Sequence, residues 1–180
     1  MNKKEIKAEV KRRLNQGEGK AAVFASLQGQ GVKDGTLAYL VAAHPDPVRC
    51  SAAEGKVNGL IILMFIQAVV AFLIGYSLGI RWGAGFGIGV GALLAAIPLL
   101  FALGFYRNAV GAYNAYLLLS ITQMPRQLEG MSSHPVAVSV GLAITLGLVA
   151  YVAYLRYRLF PEFAAFTPRK DRQGQYVFSS

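Results

Sequence analysis

The sequence predicts an all-α fold: a polytopic helical membrane protein in which a small three-helix cytosolic module precedes four transmembrane helices. Of the 180 residues, 54% are hydrophobic and only 15% are charged, whereas soluble domains have about 25% charged residues. Two apolar runs, 59–80 and 83–105, contain no Asp, Glu, Lys, Arg or His. Each has the roughly 20 residues that a helix needs to cross a hydrocarbon core of about 30 Å.

Most of the positive charge lies near the two ends of the chain. Ten of the 18 Lys and Arg residues come before Val57, and five lie at or after Arg156. The net charge of +9 could suggest nucleic acid, but cations at the ends of apolar runs are typical of residues that set membrane topology. Attraction to anionic headgroups is a second interpretation. Cys50 is the sole cysteine, which excludes an internal disulfide and a cysteine metal cage.

Residues 1–50 predict three short helices followed by a proline linker. A capping-box pattern begins the first helix at Asn2, and Gly17 ends it. A second helix covers 21–27, and a third begins near Asp34. Helices this short make a very small core, so we expect the module to pack on a partner or on the membrane face as well as on itself.

The first two spans carry the features that predict helix packing. A capping-box pattern at Ser51 should begin the helix that enters the membrane. Gln67 lies near the middle of the first span, where we expect its amide to hydrogen-bond to a neighbouring helix rather than to a substrate. The second span opens with glycines that form two helical stripes: Gly83, Gly87 and Gly91, and Gly85 and Gly89. Such stripes predict two close neighbours, one within the chain and the other a second protomer or another membrane protein.

The segment 106–124 is ambiguous, because it could lie in the membrane interface or cross as a short span with one polar face. Crossing is favoured, since it leaves the cations of the C-terminal tail on the cytosolic side. Pro125 is expected to end this segment. The predicted polar intramembrane face comprises Gln67, Tyr113, Asn114, Tyr116, Ser120 and Gln123.

The last span covers 136–155 and ends in an aromatic and basic collar. The predicted topology and interface anchors are Arg81, Trp82, Arg107, Arg156 and Arg158. The chain is thereby divided into a module and linker at 1–50, a four-helix transmembrane bundle at 51–158 and a cytosolic tail at 159–180. The tail could dock on a partner or on the N-terminal helices, or fray.

The sequence contains no catalytic or metal-binding pattern, so we expect neither enzyme activity nor a cofactor. The two histidines, His44 and His134, are predicted on opposite sides of the membrane and cannot pair at a metal. The expected function is that of an accessory or scaffold subunit, whose partners are the lipid bilayer, another membrane protein or a second copy, and possibly a cytosolic protein bound by 1–44 or 159–180. The N-terminus lacks a cleavable-signal pattern, and with basic flanks this fits a bacterial inner membrane with both termini cytoplasmic.

Two alternatives remain open at this stage. One is a small oligomeric channel or transporter, lined by Tyr113, Asn114, Tyr116 and Gln123. The other is a membrane-tethered regulator with a helix-turn-helix-like N-terminus. Nucleic acid is disfavoured as a partner, because the second helix carries no Lys or Arg after Lys20 with which to contact phosphates or bases.

Overall fold

The structure, a computed structural model, describes residues 2–129 and 135–178. Within these ranges it contains seven α-helices and no β-strand. Their bounds are α1 Lys3–Asn15, α2 Lys20–Leu27, α3 Asp34–Ala42, α4 Pro47–Gly79, α5 Ala84–Tyr106, α6 Val110–Glu129 and α7 Pro135–Leu159. Three helical segments are long and apolar enough to cross a membrane: Pro47–Trp82, Ala84–Tyr106 and Val138–Leu159. This confirms the prediction of an all-helical chain with membrane-spanning segments.

The described chain forms two compact units. One, which we call the terminal unit, contains the residues up to Cys50 and those from Arg156 onward. The other, the bundle unit, is Ser51–Leu155. The first and last parts of the chain thus belong to a single folded unit, in agreement with the predicted alternative in which the tail docks on the N-terminal helices.

The terminal unit is built on the three short helices that the sequence predicts. The Asn2 side chain accepts hydrogen bonds from the backbone of Lys4 and Glu5, and the Glu5 carboxylate accepts one from the Asn2 backbone at 2.9 Å, so the predicted capping box is confirmed. The apolar faces of the helices meet in one cluster. Its buried members are Ile6, Val10, Val23, Leu27, Leu37 and Val41.

The C-terminal tail packs on these helices through aromatic side chains. The ring of Phe24 on α2 lies 5.6 Å from that of Tyr176 and 5.2 Å from that of Phe178, between centroids. Tyr39 on α3 meets Phe163 edge to face at 5.5 Å. Aromatic pairs at such separations add to the burial of their area. The tail therefore completes a core that three helices of this length leave small.

A buried ion pair also links the two ends of the chain. The Lys20 ammonium donates to the Glu162 carboxylate at 3.1 Å, and the two side chains are only 11% and 3% exposed. A charge this deeply buried is tolerated only with a partner, because its desolvation is expensive. The pair therefore makes the position of the tail dependent on α2.

Two boundaries differ from the sequence-based prediction. The helix α4 begins at Pro47, so the expected start at Ser51 is wrong. The Asp46 carboxylate accepts a hydrogen bond from the Val48 backbone at 2.9 Å, and proline suits the first helical position because its missing N–H would have no partner there. Pro47 and Asp46 therefore supply the helix start, and Ser51 lies one turn inside it.

The second difference concerns α6, which continues through Pro125 to Glu129. A proline removes one backbone donor, and neighbouring helices can compensate for that loss in a membrane protein. The helix begins at Val110 after a turn at Asn108, whose φ is +46°. Its 20 residues give about 30 Å, more than the length expected from the sequence. His134, which the sequence analysis weighed as a ligand, lies outside the described residues.

The buried pair predicts how the terminal unit responds to mutation. Replacing Lys20 by Met should leave the Glu162 carboxylate buried without its cation and destabilise the unit by about 3 kcal/mol. Hydrogen exchange over residues 156–178, measured on the full chain in detergent, should accelerate. The exposed Lys33 provides the matched control, since Lys33→Met removes the same charge from the surface. Equal exchange in both variants would contradict the assigned role of the pair.

Candidate functional site

The helices α4 and α5 of the bundle unit approach each other at facing glycines. A Cβ atom on Gly75 would lie 2.8 Å from the Cα of Gly91, and one on Gly79 would lie 2.8 Å from the Cα of Gly87. No larger residue fits at such distances without moving the backbone. The four glycines therefore form an interlocking GxxxG pair, the arrangement that lets helices pack without a hydrophobic driving force.

The other glycines of α5 have different surroundings. Gly83 has a φ of +115°, which only glycine adopts without strain, and it joins the short 3₁₀ turn Ile80–Trp82 to α5. Positions for Cβ atoms on Gly85 and Gly89 meet nothing within 4 Å. Of the five predicted packing glycines, the structure thus brings Gly87 and Gly91 into close contact and leaves Gly85 and Gly89 uncovered. Gly75 and Gly79 were not predicted as packing residues, although their spacing of four is the same signal.

An aromatic cluster joins α5 to α6. The ring of Phe105 lies 4.7 Å from that of Tyr113 and 5.8 Å from that of Tyr116, between centroids. Both Phe105 and Tyr113 are fully buried, and Asn114 is 8% exposed. Tyr113 and Asn114 therefore belong to the interior of the bundle unit. This differs from the channel hypothesis, which assigned them to a pore.

A cleft of about 620 Å³ lies between α4, α5, α6 and α7 within the bundle unit. Its polar lining residues are Gln67, Tyr116, Ser120, Gln123 and Thr145, and its apolar walls include Ile66, Val70, Ile74, Ile97, Pro98, Phe101 and Ile144. Four residues of the predicted polar face thus meet at one place. Thr145 was missed, because the sequence does not reveal which turn of α7 faces α6.

The polar groups of the cleft lie around Tyr116. Its side chain shares the lining with the Gln67 amide on α4 and with the Ser120 hydroxyl on its own helix. The interhelical hydrogen bond expected for Gln67 stays a prediction, although its side chain lines the same cleft as Tyr116 of α6. Thr145 donates its hydroxyl to the Gly141 carbonyl at 2.9 Å, so this side chain offers the cleft an acceptor only.

The predicted anchors fall into two groups. Arg81, Trp82, Arg107 and Arg158 are exposed, and Trp82 retains 73% of its accessible surface. Arg156 differs, because it is only 4% exposed and its guanidinium lies over the rings of Phe163 and Phe166 at 5.8 and 5.7 Å. Arg156 is therefore part of the interior of the terminal unit.

In the part of the chain that the structure describes, no three His, Cys, Asp or Glu side chains lie together as metal ligands would. His44 belongs to the terminal unit and is half-buried. Burial lowers the pKa of its imidazole, and the positive charges of Lys20 and Lys11 lower it further. Both effects favour the neutral form of the ring.

Comparison of the chain with protein-family profiles, with curated proteins and with solved structures finds no match. A function for this chain is therefore argued from its own residues. Three features bear on function: the glycine interface of α4 and α5, the cleft around Tyr116, and the terminal unit.

The glycine interface predicts a sharp difference between two neighbouring positions on α5. Gly91→Leu should destabilise the bundle unit by about 1–3 kcal/mol, because a Cβ on Gly91 would lie 2.8 Å from the backbone oxygen of Phe72. Gly89→Leu is the matched control, with open space at its Cβ, and should leave the unfolding midpoint of the chain unchanged when both proteins are compared as dissociated single chains. Thermal unfolding in neutral detergent measures both. The assignment would be refuted by equal midpoints for the two variants.

Proposed function

We propose that this chain is a non-catalytic integral membrane protein that serves as an accessory or scaffold subunit of a membrane complex. The observation that carries the proposal is the division of the α5 glycines into two faces. Gly87 and Gly91 are used against α4, whereas Gly85 and Gly89 lie uncovered on the same helix. A second glycine face of the same spacing suits a second close helix, which a partner membrane protein or another copy would supply.

The arrangement in the membrane that we propose has four crossings. Both ends of the chain fold into the terminal unit, which supports a location of the flank before α4 and the flank after α7 on one side of the bilayer. An even number of crossings fits that location. Three segments are apolar enough to cross, and α6, with 20 residues and about 30 Å of length, supplies the fourth.

The charges favour the cytoplasm as the side that holds the terminal unit. Fifteen of the 18 Lys and Arg residues lie before Val57 or at or after Arg156, and cytoplasmic flanks carry an excess of such residues. The terminal unit would then present a compact basic surface to a partner in the cytoplasm. The membrane would be a bacterial inner membrane or one of equivalent polarity. The ion pair of Lys20 with Glu162 removes one cation of α2 from that surface, which weakens the nucleic-acid alternative further.

The uncovered glycine face gives the test of the scaffold proposal. Gly85→Leu and Gly89→Leu should abolish co-purification of the partner, or reduce the native mass to that of one chain, because a large side chain prevents close helix approach. Ala143→Leu, at an exposed position of α7, is the control of equal size. Native mass and co-purification from a gentle detergent measure the result. The proposal fails if both glycine variants assemble as the unmodified protein does.

The four-crossing arrangement has its own test. In a Cys50→Ser background, single cysteines replace Lys4, Trp82 and Arg172, all of which are exposed. An impermeant maleimide should label position 82 in intact cells, and positions 4 and 172 only after the membrane is opened. Labelling of positions 4 and 172 from opposite sides would refute an even number of crossings.

A further inference from the structure

We propose that the cleft around Tyr116 binds an uncharged lipid whose head carries carbonyl oxygens. The cleft, at about 620 Å³, has the size of small-molecule sites, which are commonly apolar with a few convergent polar groups. It combines such walls with one group of polar side chains at Tyr116, Gln67 and Ser120. The inference goes beyond the scaffold proposal but rests on the same membrane arrangement.

The depth of Gln67 disfavours a charged headgroup in the cleft beside Tyr116. Gln67 follows Gly59, where the apolar run begins, by eight residues, which is about 12 Å along a helix. This is far from the headgroup layer. None of the lining side chains that the structure describes is Asp, Glu, Lys, Arg or His. A charged group at that depth would need a partner of opposite charge, so an anionic phospholipid does not match the cleft.

The cleft offers hydrogen-bond donors that suit acceptors on a ligand. The Tyr116 hydroxyl, which lines the cleft, can donate one hydrogen bond. Gln123 is exposed and contributes an amide with two N–H groups. Thr145 has already given its proton to Gly141. The available donors thus come from Tyr116 and the amides, and carbonyl oxygens match them.

The walls indicate how such a ligand reaches the polar groups. Ile66, Val70, Ile74 and Ile144 line the cleft, yet each keeps between 50% and 59% of its surface exposed. The cleft therefore opens sideways, and in a bilayer the medium outside these residues is hydrocarbon. An uncharged lipid can enter from the surrounding acyl chains, with its tail along the isoleucines. Its head would then lie beside Tyr116 and the ring of Phe101, whose centroids are 5.3 Å apart.

Equilibrium dialysis of the full chain in neutral detergent tests the proposal with three probes: a benzoquinone with a decyl tail, a short-chain diacylglycerol and a phosphatidylglycerol. At least one of the two uncharged probes should bind saturably, and the anionic one should not. Preference for the quinone would identify a planar head, and preference for the diacylglycerol an ester head. Saturable binding of the phosphatidylglycerol with equal affinity, or of no probe, would overturn the proposal.

Two kinds of variant assign the binding to the cleft. Tyr116→Phe and Gln123→Leu should each weaken binding about 3- to 10-fold, the effect of one neutral hydrogen bond. Ala71→Phe fills the cleft, which Ala71 lines, and should abolish binding. The controls, Tyr106→Phe and Ala143→Phe, lie at exposed positions outside the lining and should bind normally.

Unfolding midpoints identify any variant that fails to fold. Because Gln123 is exposed, we expect Gln123→Leu to fold, and this variant tests the assignment even if another one unfolds. Unchanged affinity in Tyr116→Phe and Gln123→Leu would refute the assignment. The cysteine labelling described above is independent of any ligand, so a failure of the four-crossing arrangement is distinguishable from a failure of lipid binding.

Discussion

The close approach of α4 and α5 is the constraint on which the bundle unit depends. Apolar side chains gain nothing by leaving lipid for another apolar surface, so helices in a membrane associate through packing and polar contacts. Here Gly75 and Gly79 face Gly91 and Gly87 without room for a Cβ. This contact fixes the spacing of the first two spans. Two to three turns further along the same helices, Gln67 and Phe101 line the cleft together with Tyr116 of α6.

A different constraint governs the terminal unit. Its three helices are short and bury only a small apolar cluster, and domains of this size are marginal. The aromatic residues of the tail enlarge that cluster through Phe24 and Tyr39, and the pair of Lys20 with Glu162 makes the association specific. That both ends of the chain belong to this unit is the basis of the four crossings proposed above.

Several elements follow directly from the sequence, and the exceptions have physical reasons. Uncharged runs indicate spans and a capping box indicates the start of α1, since both are local patterns. The start of α4 was wrong because two capping signals lie close together, and Asp46 with Pro47 takes precedence over Ser51. The end of α6 was wrong because Pro125 breaks helices in water, whereas a helix in a bundle can continue through it.

The sequence by itself determined that this chain is helical and built for lipid, because length, apolarity and the position of charges act residue by residue. It also identified glycines able to pack. Only the tertiary structure decided which glycines face each other, that Tyr113 lies in the core while Tyr116 borders a cleft, and that Arg156 is buried beneath the tail. These outcomes depend on which helix faces come together, and that is a property of contacts between residues far apart in the chain.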